Sequence, residues 1–316
     1  VDLDVAESNI AKLQAAANEM GVDVRPHSKT NKSPYWARKQ IDAGAIGVCC
    51  AKVGEAEVMV EAGVTDVMIP NQVIGKRKVA RLVALAHSAN IVVAVESAGN
   101  VDDLSTASSA AGAELGVIVE INVGMDRCGV DGDGAVELAK QIDAAPGLRF
   151  DGLMGYEGHV VAERDYETRK IKAEQAMAIL TGAADQIRDA GIDVKLVSAA
   201  GTGTYNITGR VDGVTELQCG SYIFMDGDYL EVFNDFEPAL SVLATVISRQ
   251  KKEVAIVDMG LKSISMDRGL AEVISPASAS IKSHSEEHTA VNLPDAASQA
   301  LKVGDKVRSR PTHGDT

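Results

Sequence analysis

An α/β chain built on a closed (β/α)8 TIM-type barrel, followed by a small mostly-β C-terminal domain, is what this 316-residue sequence predicts. Three observations carry that expectation. From residue 22 onward, short β-branched runs alternate with Ala-rich helical patterns, and each run ends in polar or glycine residues, as in βα units around a parallel sheet. Eight such runs occur, which is the number a closed barrel requires. After about residue 234 the texture changes to Val/Ile/Ser/Thr-rich runs with no long helical pattern between them. The expected division is therefore 1–234 for the barrel and 235–316 for the β domain. An open doubly wound sheet is the competing architecture, and eight strands without a dinucleotide fingerprint favour closure.

Taken in order, residues 4–20 carry apolar side chains at helical spacing and open the chain with a helix. The eight barrel strands are expected at 22–27, 45–50, 66–70, 91–95, 115–123, 150–156, 194–199 and 213–218. Between them, helices are legible over 52–62, ending at Gly63, and over 164–190, ending at Gly191. A glycine just past the last turn suits a left-handed C-terminal cap. Further strands are expected at 239–248, 254–258 and 301–308. The polar, irregular stretch 276–300 reads as a loop or an exposed hairpin. No internal repeat or low-complexity tract is present.

Composition bounds the function. With 46% hydrophobic residues the chain can bury a sizeable core. The excess of 45 acidic over 31 basic residues gives a net charge of -14, and the short runs Lys76-Arg77-Lys78 and Arg249-Gln250-Lys251-Lys252 are expected to be solvated faces. No nucleic-acid partner is expected. Cys49, Cys50, Cys128 and Cys219 have neither CxxC spacing nor the density of a secreted disulfide scaffold, and read as reduced, mostly buried thiols. No apolar run of membrane-spanning length and no signal peptide occurs, so no membrane partner and a cytoplasmic location are expected. The chain opens at Val1 without a methionine, so its natural start is expected upstream.

In a parallel barrel the residues just past each strand's C-terminal end meet at one mouth. Those positions are Lys29 after strand one, Asn71 and Gln72 after strand three, Arg127 after strand five, and Tyr156 with His159 after strand six. Gly201-Thr202-Gly203-Thr204 follows strand seven, and Gly220-Ser221-Tyr222 follows strand eight. The last two groups fall where barrels commonly bind phosphate, through glycine N–H groups and added hydroxyl donors. A lysine and a phosphate site at one mouth point to pyridoxal 5'-phosphate, whose aldehyde joins a lysine while its phosphate anchors the ring.

The segment Arg25-Pro26-His27-Ser28-Lys29-Thr30-Asn31-Lys32 resembles the RPHxKTHK stretch of the D-threonine aldolase and D-serine dehydratase family, whose barrel is that of the alanine racemases. Val123-Gly124-Met125-Asp126-Arg127-Cys128-Gly129 is similar to the racemases' GMxRxG motif. Gly155-Tyr156-Glu157-Gly158-His159, residues 201–204 and residues 218–226 match family blocks in the same order. The resemblance implies Lys29 as the Schiff-base lysine, with Lys32 the lesser claimant. It further implies Arg127 near the cofactor's phenolic oxygen, His159 against the pyridine ring, and residues 201–204, Gly220, Ser221 and Tyr222 as the phosphate cup. At Gln218 the racemases carry an arginine facing the pyridine nitrogen. If Gln218 or Tyr156 meets that nitrogen here, its neighbour is neutral, so the ring can hold a proton and act as a better electron sink. That favours bond cleavage over racemisation.

His313 and Asp315 close the chain two residues apart, and on an extended strand both would point to one side and could bind one divalent cation. In the family, a C-terminal His-x-Asp or His-x-Cys pair holds a metal, and the oxygen-containing form suits Mn2+ or Mg2+. The family usually continues beyond this motif, whereas this chain stops at Thr316. The resemblance implies retro-aldol cleavage of a D-3-hydroxy amino acid to glycine and an aldehyde, with a metal-dependent dehydratase or a D-3-hydroxyaspartate aldolase as close variants. A non-enzymatic pyridoxal phosphate carrier is a rival from another class, and it would lack the second domain and the metal pair. A barrel lyase whose Schiff base comes from its substrate is another, and it would bind no chromophore. A homodimer is expected from the family alone.

Overall fold

The computed structural model describes residues 1–316. Its elements begin with α1 (Leu3–Met20), β1 (Asp23–Val24), α2 (Pro34–Asp42), β2 (Val48–Cys49), α3 (Val53–Glu61), β3 (Asp66–Gln72), α4 (Lys76–Leu85) and β4 (Asn90–Val95). They continue with α5 (Ala98–Ala111), β5 (Leu115–Glu120), α6 (Gly132–Ala144), β6 (Leu148–Met154), α7 (Tyr166–Asp189), β7 (Leu196–Ala199), α8 (Tyr205–Thr208) and β8 (Glu216–Leu217). The eight strands are all parallel and run in the order β1-β8-β7-β6-β5-β4-β3-β2. A parallel bridge between His27 and Cys49 joins the two edges, supported by the Cys49 N–H donating to Pro26 O. The predicted barrel is present.

These strands are apolar runs because both of their faces are covered. In β5 every residue is buried. Inward-pointing Cys49, Met68, Val92, Ala94, Ile118 and Met154 fill the barrel interior, while Val67, Ile69, Val93, Val117, Val119 and Val197 pack outward with the helices. Strands β1, β2 and β8 are each only two residues long, shorter than their apolar patterns, although the Arg25 and Gln218 N–H groups still donate to Leu217 O and Ala199 O beyond them.

Contacts divide the chain into two compact units, 10–220 and a second made of 1–9 with 221–316. The second unit contains α9 (Gly227–Leu230), β9 (Val242–Lys251), β10 (Val254–Val257), β11 (Glu272–Ser275), β12 (Ser280–His284), β13 (Thr289–Asn292), α10 (Ala296–Gln299) and β14 (Lys306–Arg310). Its strands form one antiparallel sheet in the order β11-β14-β9-β10-β13-β12 over a core that includes Val246, Val257, Val291 and Val307. The stretch 276–300 is not a bare loop. It supplies two strands and a short helix, and β13 pairs on both sides while burying Thr289 and Val291. No helix is long and apolar enough to cross a membrane.

Candidate active site

The chain leaves β1 through Arg25 and Pro26 and enters a single 3-10 turn, Ser28–Thr30, at the barrel mouth. His27 Nδ1 accepts from the Lys29 backbone N–H at 3.3 Å, and buried Ser28 donates its hydroxyl to Cys49 O at 2.8 Å. This fixes the turn that carries half-buried Lys29. Lys32 is exposed, has a positive φ of 46°, and lies with Gly54, Glu55 and Val58 on α3. The two candidate lysines therefore have different surroundings, and only Lys29 sits in the capped turn. Gly220 lies against that turn, since a Cβ there would come 2.9 Å from His27 O and 3.2 Å from Thr30 Oγ1.

Across the mouth, the Arg127 guanidinium stacks 5.5 Å from the Tyr156 ring centroid and lies 3.9 Å from Glu120 Oε1. Gln72 donates its amide N–H to the other Glu120 oxygen. Burial pushes the Glu120 carboxyl up, and Gln72 and Arg127 oppose that shift. Glu120 is the hub of this cluster and the sequence reading missed it. The signal was its place in the inward alternation Gly116, Ile118, Glu120 along β5. His159 is exposed and packs beside Gly124, whose φ of +107° favours glycine and whose Cβ position is 3.4 Å from the imidazole. The ligand atoms of Glu96, Glu120 and Cys128 also lie within 4.8 Å of one another. Glu96 already accepts the Gly129 N–H, and Arg127 supplies Glu120 with a positive neighbour.

The turn after β7 is held from below. Glu157, fully buried, accepts the hydroxyls of Thr204 at 2.7 Å and Thr208 at 2.6 Å, and the Ala200 N–H at 3.3 Å. Thr204 thus gives its proton to a carboxylate and is not an outward donor, contrary to its expected part in a phosphate cup. The reason is that a buried carboxylate needs donors. Gly203 must be glycine, because a Cβ there would fall 1.9 Å from Val161 O. The N–H groups of Gly203 and Gly220 are buried and meet no acceptor within the protein. Buried N–H groups without an acceptor are the kind of donor an oxyanion such as the phosphate of pyridoxal phosphate can take. Gly201 borders Tyr156, and Cys219 Sγ–H donates to Gly201 O at 3.3 Å, while Thr202 is buried.

Gln218, just past β8, donates its amide to Ser198 Oγ at 2.8 Å and lies 3.8 Å from Met68 Sδ in the barrel interior. Ser198 donates in turn to Glu216 Oε1 at 2.6 Å, and the Arg25 Nε–H donates to Glu216 Oε2 at 2.9 Å. Arg25 also pairs with Asp66. Burial pushes the Glu216 carboxyl up and Arg25 opposes it, while Arg25 itself is held charged by Glu216 and Asp66 against its own burial.

The remaining predicted residues belong to the second unit. Ser221 donates its hydroxyl to Asp315 Oδ1 at 2.9 Å, and Tyr222 is buried, 5.5 Å from the Phe236 ring. His313 and Asp315 do not lie on a strand, as β14 ends at Arg310. Side chains place them instead: His313 Nδ1 pairs with Asp267 Oδ2 at 2.7 Å, and the intervening Gly314 N–H donates to buried Asp226 at 2.8 Å. With Nδ1 engaged by a carboxylate, Nε2 is the imidazole nitrogen left for a ligand, the arrangement typical of metal-bound histidine. Imidazole and carboxylate donors fit a divalent cation of the manganese or magnesium kind.

One barrel mouth thus carries the Lys29 turn, the glycine-bearing turns after β7 and β8, and an arginine stacked on a tyrosine, which defines the class of parallel α/β barrel with a polar, glycine-rich mouth. The profile of the alanine racemase N-terminal domain matches residues 1–228, and that of a serine dehydratase domain matches residues 239–316. The chain belongs to this alanine racemase-like family. It is 38% identical to 3-hydroxy-D-aspartate aldolase of Paracoccus denitrificans, across 100% of this chain and 84% of that one. It is 39% identical to D-threonine aldolase of an Arthrobacter species, with the same shares covered. The structure superposes on the crystal structure of D-threonine aldolase from Filomicrobium marinum with a TM-score of 0.97, at 39% identity, covering 100% of this chain and 86% of that one.

Proposed function

We propose that this protein is a lyase that cleaves a D-3-hydroxy amino acid of the D-threonine type to glycine and an aldehyde, using pyridoxal phosphate and a divalent cation. The observation that carries the reading is the buried N–H of Gly220, without an acceptor in the protein, set against the turn that carries Lys29. The similarity to two aldolases supports it. Pyridoxal phosphate bound there supplies an electron sink that makes the bonds at the substrate's Cα labile. Lys29 anchors the cofactor, the 201–204 turn and Gly220 take its phosphate, and Arg127 offers positive charge to its phenolic oxygen. Gln72 and Tyr156 support Arg127, through Glu120 and through ring stacking. His159 accepts the β-hydroxyl proton as the Cα–Cβ bond breaks, so the aldehyde leaves and a proton at Cα completes glycine. His313 and Asp315 would hold Mn2+ or Mg2+, which would supply Lewis-acid polarisation of a bound hydroxyl.

The carboxylate in His313-Gly314-Asp315, where dehydratases of the family more often carry a thiolate, favours the aldol cleavage over loss of water. A D-3-hydroxyaspartate substrate would follow the same route to glycine and glyoxylate. A homodimer belongs to the same reading and is checked by light scattering of the eluting protein. For the reaction, the full chain is incubated with pyridoxal phosphate, Mn2+ and D-threonine, and products are quantified. Equimolar glycine and acetaldehyde are expected, with activity and the cofactor chromophore both lost in Lys29→Ala. Predominant 2-oxobutyrate would make the protein a dehydratase, and a chromophore without any turnover would make it a carrier.

A further inference from the structure

We propose that Arg25, Glu216 and Ser198 are positioning residues that hold the Gln218 amide in one orientation, with its carbonyl oxygen as the group offered to the ring nitrogen of bound pyridoxal phosphate. This rests on the cofactor reading above. The argument is one of hydrogen-bond polarity. A guanidinium can only donate, so Glu216, buried and facing Arg25 Nε at 2.9 Å, must accept. We take Glu216 as ionised, because its carboxylate faces the buried Arg25 guanidinium, which also pairs with Asp66, and a positive charge at this distance favours the ionised form. A carboxylate can only accept, so the proton between Ser198 Oγ and Glu216 Oε1 at 2.6 Å belongs to the serine. Having donated its only proton, Ser198 can receive only a donor at 2.8 Å, which must be the NH2 of Gln218. The choice of amide face, ordinarily a matter of assignment, is here dictated by charge at the far end of the chain.

The carbonyl oxygen of Gln218 accepts no hydrogen bond within the protein. Gln218 follows the end of β8 and stands two residues before Gly220, and its amide nitrogen lies 3.8 Å from Met68 Sδ in the barrel interior. A ring tied by its phosphate to Gly220 and by its aldehyde carbon to Lys29, with its phenolic oxygen toward Arg127, has its nitrogen as the remaining polar atom to satisfy, and Gln218 offers it an acceptor. An acceptor stabilises a protonated nitrogen, which strengthens the electron sink that carbon-carbon cleavage needs.

Reconstitution with pyridoxal phosphate labelled with 15N at the ring nitrogen tests this, since the resonance of a pyridinium nitrogen is well separated from that of a neutral pyridine. The wild-type resonance is expected at the protonated position. In Glu216→Gln, the new amide can accept from Arg25 and donate to Ser198. Ser198 then donates to Gln218, the amide turns over, and the resonance is expected to move to the unprotonated position. Ser198→Ala, which leaves the Arg25 and Glu216 pair intact, releases the amide and should move the resonance in the same direction, and it carries the test if Glu216→Gln does not fold. Adding Gln218→Glu to Ser198→Ala should restore protonation, because a carboxylate has only acceptors. Bound cofactor with an unprotonated nitrogen in the wild type, or with an unchanged resonance in the variants, would overturn the inference alone. Absence of bound cofactor in the wild type would instead overturn the cofactor reading beneath it.

Discussion

Glu157 shows how a single side chain can govern a site it does not enter. Its two oxygens collect the hydroxyls of Thr204 and Thr208 and the N–H of Ala200, so the turn that carries Gly203 is tied to a carboxylate beneath it. Each buried donor left without an acceptor costs about 1–3 kcal/mol. Glu157→Ala should therefore weaken cofactor binding by roughly tenfold or more, read by fluorescence titration, with Glu157→Gln milder because one oxygen still accepts. Wild-type affinity in both would show that the turn holds its shape without Glu157. The cysteines make a second residue-scale expectation. Burial pushes the Cys50 thiol up to about 11, raises Cys49 and Cys219 as well, and raises half-exposed Cys128 with help from nearby Glu120 and Glu96. The thiolate is the reactive form, so labelling of the native protein by a disulfide reagent should be slow at pH 8. It should climb about tenfold per pH unit as the alkaline range is approached, with Cys128 labelled first. Rapid reaction of any one thiol at neutral pH would contradict this.

The barrel elements were legible in the sequence because strands buried on both faces carry near-continuous apolar runs, as Ile91 to Val95 in β4 and Val117 to Val119 in β5 do, and because glycine follows α3 and α7 where the chain turns left-handed. The hairpin of β12 and β13 was legible only as one of two readings of the polar stretch 276–300, since it buries only Ile281, Thr289 and Val291 amid polar residues and gains its order by pairing with β10. Candidate site residues at strand ends were proposed from their position in the barrel pattern and from the family blocks. Their partners were missed because hydrogen bonds join residues far apart in the chain, Arg25 to Glu216 over 191 positions, and nothing local marks them. The turn after β7 gives the element-scale prediction. In Gly203→Ala the added methyl group would collide with Val161 O, so the turn must shift and carry its N–H with it. Cofactor affinity should fall by roughly a hundredfold, on the scale of one lost charge-assisted hydrogen bond, while the apo protein melts within a few degrees of wild type. An equal fall in apo stability would place the role of Gly203 in folding.

Over the whole molecule the dominant feature is charge. Forty-five acidic residues against 31 basic ones give -14, so the protein repels anions at long range while Lys29 and Arg127 attract them at the mouth. The two candidate substrates differ in how they experience that field. D-Threonine is a zwitterion with no net charge near neutral pH, and its encounter is nearly blind to a net monopole. D-3-Hydroxyaspartate carries one further negative charge and must approach against the repulsion until it reaches the local cations. Screening separates these cases, because the Debye length shrinks from about 30 Å at 0.01 M salt to about 8 Å at 0.15 M, shorter than the reach of the global charge but longer than contact distances. Raising ionic strength over that range should therefore increase kcat/KM for D-3-hydroxyaspartate by roughly two- to threefold and leave that for D-threonine unchanged, in steady-state assays with a chloride salt. A fall for D-3-hydroxyaspartate would mean that the cations at the mouth outweigh the net charge and steer this substrate in, which is the behaviour expected of a site adapted to a second carboxylate.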